Sequence, residues 1–406
     1  MLKQILEAAR LDEDYCARLL GVPPSEFREW LDGKSPLPRF ILSELSAILG
    51  HPTDKLVEPP RKGRLDDSAL APAVWYKLRE PRLKPEDRAF VALVRKLGFY
   101  MDQLQTVRQN ASRQFELLFA TIRRSVDSSA PPTVQGRQAA AEFRKQTGLS
   151  KGQTGIGEDI RRSIRNLGFI LIESPLPHSQ LEGCCMRVGR DGRDVPCVFA
   201  NTYGSTWFRR NVVIMHELGH AVFDLGSSPV TVDYLDGAGN DEFTEVRAQA
   251  FARDALVPAS VLSHATNKWG IHWNSMTPVT IAQLMASTHV EQRTLLEAAC
   301  EYGYFPQDKL EDHQKLNCSS ELAALSDHAL TTEAYLRRQP SIPLWIAQNR
   351  NTALGGRSLR LPAGYVEQVI LAFNDGEISR GKAAEMLLMD RSTMEERFGG
   401  LLTMAE

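Results

Sequence analysis

No stretch of this chain stays apolar for long enough to span a bilayer, and no hydrophobic leader follows the first methionine. Both absences lead to the expectation of a cytoplasmic protein with no membrane partner. A dominant charge is missing too: 48 Lys and Arg face 50 Asp and Glu, a net charge of −2. That balance excludes a global field able to gather nucleic acid or anionic lipid. Cysteine is scarce. The six are Cys16, Cys184, Cys185, Cys197, Cys300 and Cys318; none lies in a C-x-x-C pair, and the adjacent Cys184 and Cys185 are poor partners for each other. Reduced thiols are the simplest reading. Apolar residues, in contrast, are plentiful: they make up 43% of 406 positions, enough to core two or three domains.

Against this background one stretch stands out, Asn211-Val-Val-Ile-Met-His-Glu-Leu-Gly-His-Ala-Val-Phe-Asp224. Its apolar spacing predicts a helix on which His216 and His220 lie one turn apart on one face. Two imidazoles on a buried face, with a carboxylate between them, are costly without a partner. Together they can reach one metal ion, and Zn²⁺ takes neutral His nitrogens in a roughly tetrahedral shell. Glu217 would then stand beside the open position, placed to accept a proton from water as catalytic base. The metzincin extension is absent, because the positions for its Gly and His hold Phe223 and Gly226.

A third ligand must therefore come from further along. After the turn-rich Asp236 to Asp241, residues Glu242 to Pro258 read as a second amphipathic helix with a proline stop. Glu245, Ala248 and Ala252 share one of its faces, and small residues there let the two helices approach closely. Glu245 is the expected ligand and Glu242 its rival, while Asp241 reads as an N-cap. Asp224, one turn after His220, is either an orienting acid for that ligand or a solvated helix end. Tyr203, His264, His272, Tyr302 and Tyr304 are open candidates for an oxyanion donor.

The run His216-Glu-Leu-Gly-His220, followed by Glu245-x-x-Ala248-x-x-Phe251-Ala252 and Leu256-Val-Pro258, resembles the ImmA/IrrE family of zinc metallopeptidases. Upstream, Ala140-Ala-Glu-Phe-Arg144, Gly168 to Ile172, Gly183 and Val198-Phe-Ala-Asn201 stand in that family's order. The resemblance covers roughly residues 135–300. It implies a zincin-like domain with His216, His220 and Glu245 as zinc ligands and Glu217 as base. It also implies a substrate: such enzymes cut a helix-turn-helix repressor and so control stress-response, mobile-element or phage-defence genes. Two positions depart from the family: members often carry an acid where Arg247 stands, and Asn or Asp in place of Gln249.

The expected fold is α+β. A zincin-like metallopeptidase domain over 134–305, with helices on a small, mostly antiparallel sheet, is flanked by all-helical N- and C-terminal domains. These are a helix-turn-helix-like unit over 1–58, a helical connector over 65–127 and a helical unit over 325–406. Residues 1–50 resemble a Cro/repressor-type helix-turn-helix, with a reading helix starting near Pro24. DNA contact could run through them, yet six basic against eight acidic residues leave that stretch at −2, a poor match for phosphate. Docking of a protein or a homodimer is the other use. Residues 84–125 read as helical from apolar Phe90, Leu93, Val94, Leu97, Met101 and Leu104; their eight basic against four acidic residues make either a surface for nucleic acid or an acidic partner, or the solvated face of a helical pair. Gly381 to Leu387 weakly resembles part of another helix-turn-helix.

The strand Val195–Asn201 is expected at a sheet edge, where Val198 and Asn201 would bind substrate backbone by strand addition; a plain core strand is the other reading. Gly189 to Arg193 reads as the hairpin tip before it. Arg209 and Arg210 would cap, dock or orient the metal helix. The flanking helices are expected to restrain access, so that a fragment of roughly 130–300 would gain activity. The reading that competes with the protease is a DNA-binding regulator or toxin–antitoxin component with a structural or dormant zinc site.

Overall fold

The computed structural model describes residues 2, 3, 6, 12–20, 22–38, 41, 42, 45, 85–107, 114–148, 156, 157, 160–188, 195–225, 230–234, 242–326, 330, 331, 334, 337, 346, 347 and 359–402. The stretch 59–64 between the first two expected units, the hairpin tip, the break at 236–241 with Asp241, and the expected connector before residue 85 lie outside these residues.

The fold is α+β. Its sheet has four strands, β1 (Ile170–Ser174), β2 (Leu181–Val188), β3 (Val195–Asn201) and β4 (Val230–Tyr234), in the order β1-β3-β2-β4. β1 runs parallel to β3, whereas β2 is antiparallel to both β3 and β4. Short local signals place β1. Helix α6 (Ile160–Asn166) ends at Gly168, whose φ of +92° suits glycine. The turn lets Phe169 N–H donate to Ile164 C=O at 3.2 Å and sends the chain straight into the apolar Ile170–Ile172.

β3 corrects one expectation. All seven of its residues are buried, and it pairs with β1 on one side and β2 on the other. A strand with both edges occupied has no N–H or C=O row to offer a peptide, so Val198 and Asn201 cannot bind substrate by strand addition. The continuous apolar run Val195–Ala200 is what a central strand needs.

The two faces of the sheet are covered by different helices. Side chains alternate along a strand, so Val188, Cys197 and Phe199 share one face, and Gly183, Val198 and Ala200 the other. Helix α3 (Pro85–Val107) covers the first face. Phe90 meets Phe199 at 5.5 Å between ring centres, and Gly98 lets the helix lie against Cys197 and Val188. Helix α7 (Trp207–Phe223), the expected metal helix, covers the second face through Val213 and Glu217.

The stretch expected as a connector is thus one layer of the same core. Helix α4 (Gln114–Ser125) belongs to it as well: Phe115 and Phe119 pack on Phe169, and Arg123 donates to Val222 C=O at 2.8 Å. At the far end, α15 (Arg380–Met386) reaches back to α3, where Tyr100 Oη donates to Glu385 at 2.9 Å. Arg360 N–H donates to Ser174 Oγ at 2.7 Å, beside the outer edge of β1.

Near the N-terminus, α1 (Glu13–Leu20) and α2 (Pro24–Leu31) form a helix pair with Phe27 fully buried. The arginine of the expected reading helix, Arg28, donates to Asp14 at 2.6 Å and lies 3.7 Å from Glu13. Its charge is matched within the pair rather than presented alone to phosphate.

A fragment of roughly 130–300 would leave the α3 face of the sheet bare. Contrary to the gain of activity expected from the sequence, it should lack cooperative unfolding when followed by circular dichroism. In the full chain, Phe90→Ala should cost about 3–5 kcal/mol in urea denaturation, and a cost under about 1 kcal/mol would place α3 outside the core.

Candidate metal centre

The metal helix α7 is held at its start by charge and capping. Thr206 Oγ1 accepts from Arg209 N–H at 3.2 Å, the N-cap bond. Arg209 forks onto Glu182 of β2 at 2.5 and 2.6 Å and also bonds Glu291. Burial alone would lower the Arg209 pKa, but these two carboxylates hold it above the ordinary range. Arg210 donates to Glu173 of β1 at 3.1 Å. Arg161 of α6 forks onto the same Glu173 at 2.7 Å twice, donates to Asn211 Oδ1 at 2.6 Å, and lies over the Trp207 ring. Asn211 Nδ2 in turn donates to His289 C=O at 2.8 Å. These bonds fix the rotation of α7 about its axis, which decides where residues two turns later point.

The helix that carries Glu245, α8 (Glu242–Leu256), crosses α7 at Gly219. A Cβ on Gly219 would lie 3.1 Å from Ala248 Cα and 3.2 Å from the Phe251 ring. Glycine on one helix and alanine on the other thus allow the close crossing. From behind, α5 (Pro132–Gln146) presses on α8 through Gly136, where a Cβ would be 2.4 Å from Arg247 C=O.

The crossing brings the sequence-selected residues together. His216 Nε2 and His220 Nε2 are 3.0 Å apart, and each lies 3.3 Å from a Glu245 carboxylate oxygen. The three residues form a group that could hold a metal ion. His220 is 1% exposed, and the side chains of His216 and Glu245 are nearly buried at 12% and 13%. The side chain of Glu242, the rival ligand, lies outside the described residues.

His220 Nδ1 is 2.7 Å from Asp224 Oδ2, and Arg247 donates to Asp224 Oδ1 at 2.6 Å. With the carboxylate ionised, Nδ1 carries the proton and Nε2 turns its lone pair toward His216 and Glu245. Glu217 is fully buried, its carboxylate resting on Gly183 of β2, where a Cβ would approach Glu217 Oε1 to 2.4 Å.

Other candidates are engaged elsewhere. Asn201 uses its whole amide on loops: Oδ1 accepts from Leu176 and Tyr203 N–H at 2.9 and 3.0 Å, and Nδ2 donates to Leu176 and Leu181 C=O at 3.1 and 2.9 Å. Val198 is buried in the sheet. Tyr302 Oη donates to Asp254, and the Tyr304 hydroxyl pairs with Ser263 Oγ at 2.7 Å. Among the described contacts, none brings Tyr203, His264 or His272 to the metal group.

Arg247 was legible only as a departure, and its partner Asp224 only as an i+4 spacing from His220. The buried role of Arg161 left no local signal. Comparisons with family models, with curated proteins and with solved structures find no match to the chain.

Burial raises the Glu173 pKa, but Arg161 and Arg210 outweigh it and hold the group below its ordinary 4.5. Its stabilising effect is therefore complete above that pH and drains away as pH falls through the folded-state value. Glu173→Gln should cost about 3–5 kcal/mol at pH 7, because it strands two buried arginines. It should also flatten the decline of the urea midpoint below pH 4.5. An equally steep decline in the variant would assign acid sensitivity to other groups.

Proposed function

We propose that the chain is a cytoplasmic zinc-dependent endopeptidase of the ImmA/IrrE type, which controls transcription or a stress or phage-defence response by cutting a helix-turn-helix repressor. The supporting observation is the convergence of His216, His220 and Glu245. Zn²⁺ with bonds of about 2.0–2.1 Å sets tetrahedral edges of about 3.3–3.4 Å. The separations of 3.0 and 3.3 Å match those edges, and two imidazoles with one carboxylate are a zinc donor set.

Three protein ligands also favour catalysis over a structural site, which is closed by four. Among the described residues no fourth donor joins the group. When bound there, zinc supplies Lewis acidity, polarising a peptide carbonyl and lowering the pKa of water.

The chain's own groups do the rest. His216, His220 and Glu245 bind and fix the ion's position. Asp224 holds the His220 proton on Nδ1, away from the site. Glu217 provides the proton-accepting carboxylate, which can return the proton to the leaving amine. Its burial excludes bulk water, and Gly183 leaves room for it against the sheet.

The choice of a repressor as substrate rests on the sequence resemblance. The competing DNA-binding reading gains nothing from α2, where Arg28 is matched by Asp14 and Glu13.

The test uses this chain with a small helix-turn-helix protein as substrate, the first to try being any that is encoded beside it. Glu217→Gln should keep zinc stoichiometry and slow cleavage by about 10²–10⁴-fold; unchanged cleavage would reject Glu217 as base. Gly183→Ala should also keep zinc and lower kcat, because its methyl displaces the Glu217 carboxylate. A wild-type kcat in that variant would show that the close packing is not needed.

A further inference from the structure

We propose that Arg247 is a positioning residue of the metal centre, acting through Asp224 on His220. The inference rests on the zinc reading above. Arg247 stands two residues after Glu245 on α8, and Asp224 four residues after His220 at the end of α7. Their 2.6 Å bond therefore joins the two metal-bearing helices beside the site.

Both side chains are nearly buried, at 11% and 13% exposure. The guanidinium is held from several sides. The Phe223 ring lies 4.3 Å away, the Phe243 ring 5.3 Å, and Gln135 Oε1 accepts from Nη1 at 3.4 Å. A cation locked in this way leaves the Asp224 carboxylate one orientation, with Oδ1 on Arg247 and Oδ2 on His220 Nδ1.

Two consequences follow. The carboxylate stays in register, with Oδ2 on His220 Nδ1, so the ring keeps one orientation with its Nε2 toward His216 and Glu245. The bond also keeps Glu245 at its distance from both histidines. If Arg247 only held the helices together, its loss would lower the melting temperature but leave the zinc affinity of the folded protein unchanged.

The experiment is a double-mutant cycle in the full-length chain, Asp224→Asn with Arg247→Gln. Zinc affinity is read by competition with a chromophoric chelator, on variants whose circular dichroism matches the wild type. Each single variant should bind zinc about 10–100-fold more weakly, and the double variant no more weakly than Asp224→Asn alone. Wild-type affinity in Arg247→Gln, or additive losses, would overturn the proposal.

Should Arg247→Gln not fold, Arg247→Lys takes its place in the same cycle. Lysine lacks the planar fork, so a loss that vanishes in the Asp224→Asn background is expected, and no loss or an additive one overturns the proposal. If the wild-type chain binds no zinc, the proposed function fails instead. The ¹⁵N resonances of the His220 ring in the metal-free protein then test the relay: one Nδ1–H tautomer in the wild type and a mixture in the Arg247 variant. Identical tautomers in both would overturn it.

Discussion

The closeness with which α7 and α8 cross sets everything at the metal group. Helices that pack through ordinary side chains stand about 8–10 Å apart. Here Gly219 faces Ala248 and Phe251, and Gly136 lies against Arg247, Ala250 and Phe251 of the same helix. The glutamate-bearing helix thus rests on two glycines contributed by two different helices. A larger side chain at either place would push α8 outward, and the Glu245 carboxylate would no longer meet His216 and His220. The small residues flanking the site thus matter as much as the ligands.

Buried charge does the second part of the positioning. Arg209 joins α7 to β2 and to Glu291, and Arg161 and Arg210 join it to β1 through Glu173. Desolvating such groups costs much of what their attraction returns, so they are weak contributors to net stability. Their effect is geometric. A helix docked only by apolar contacts can rotate among several packings, whereas forked guanidinium–carboxylate bonds permit one. Two turns further along, that single rotation sets the directions of both histidines.

The candidate site residues on α7 were legible because their relation is local. His216, Glu217 and His220 lie within five residues of one another, and helical geometry alone puts the two imidazoles on one face. Asp224 continues the same face by another turn. Glu245 was legible more indirectly, from an acid sharing a face with alanines. The substrate-strand expectation failed because the continuous apolar run of Val195–Ala200 says that the strand is buried, not which strands lie beside it. The order β1-β3-β2-β4 made it central. The connector expectation failed similarly: α3 is amphipathic, and nothing in its spacing says that its apolar face lies on Phe199 and Cys197.

The sequence by itself thus determined the helices, their apolar faces, the two histidines with Glu217 between them and the candidate acid, since each depends on spacings within a few turns. Only the tertiary structure decided the rest: that Glu245 meets the histidines, that Arg247 holds Asp224, that Gly183 lies under Glu217, and that α3 completes the sheet. The physical reason is that these contacts join residues tens of positions apart. Their formation depends on how whole faces pack, and no local periodicity encodes that choice.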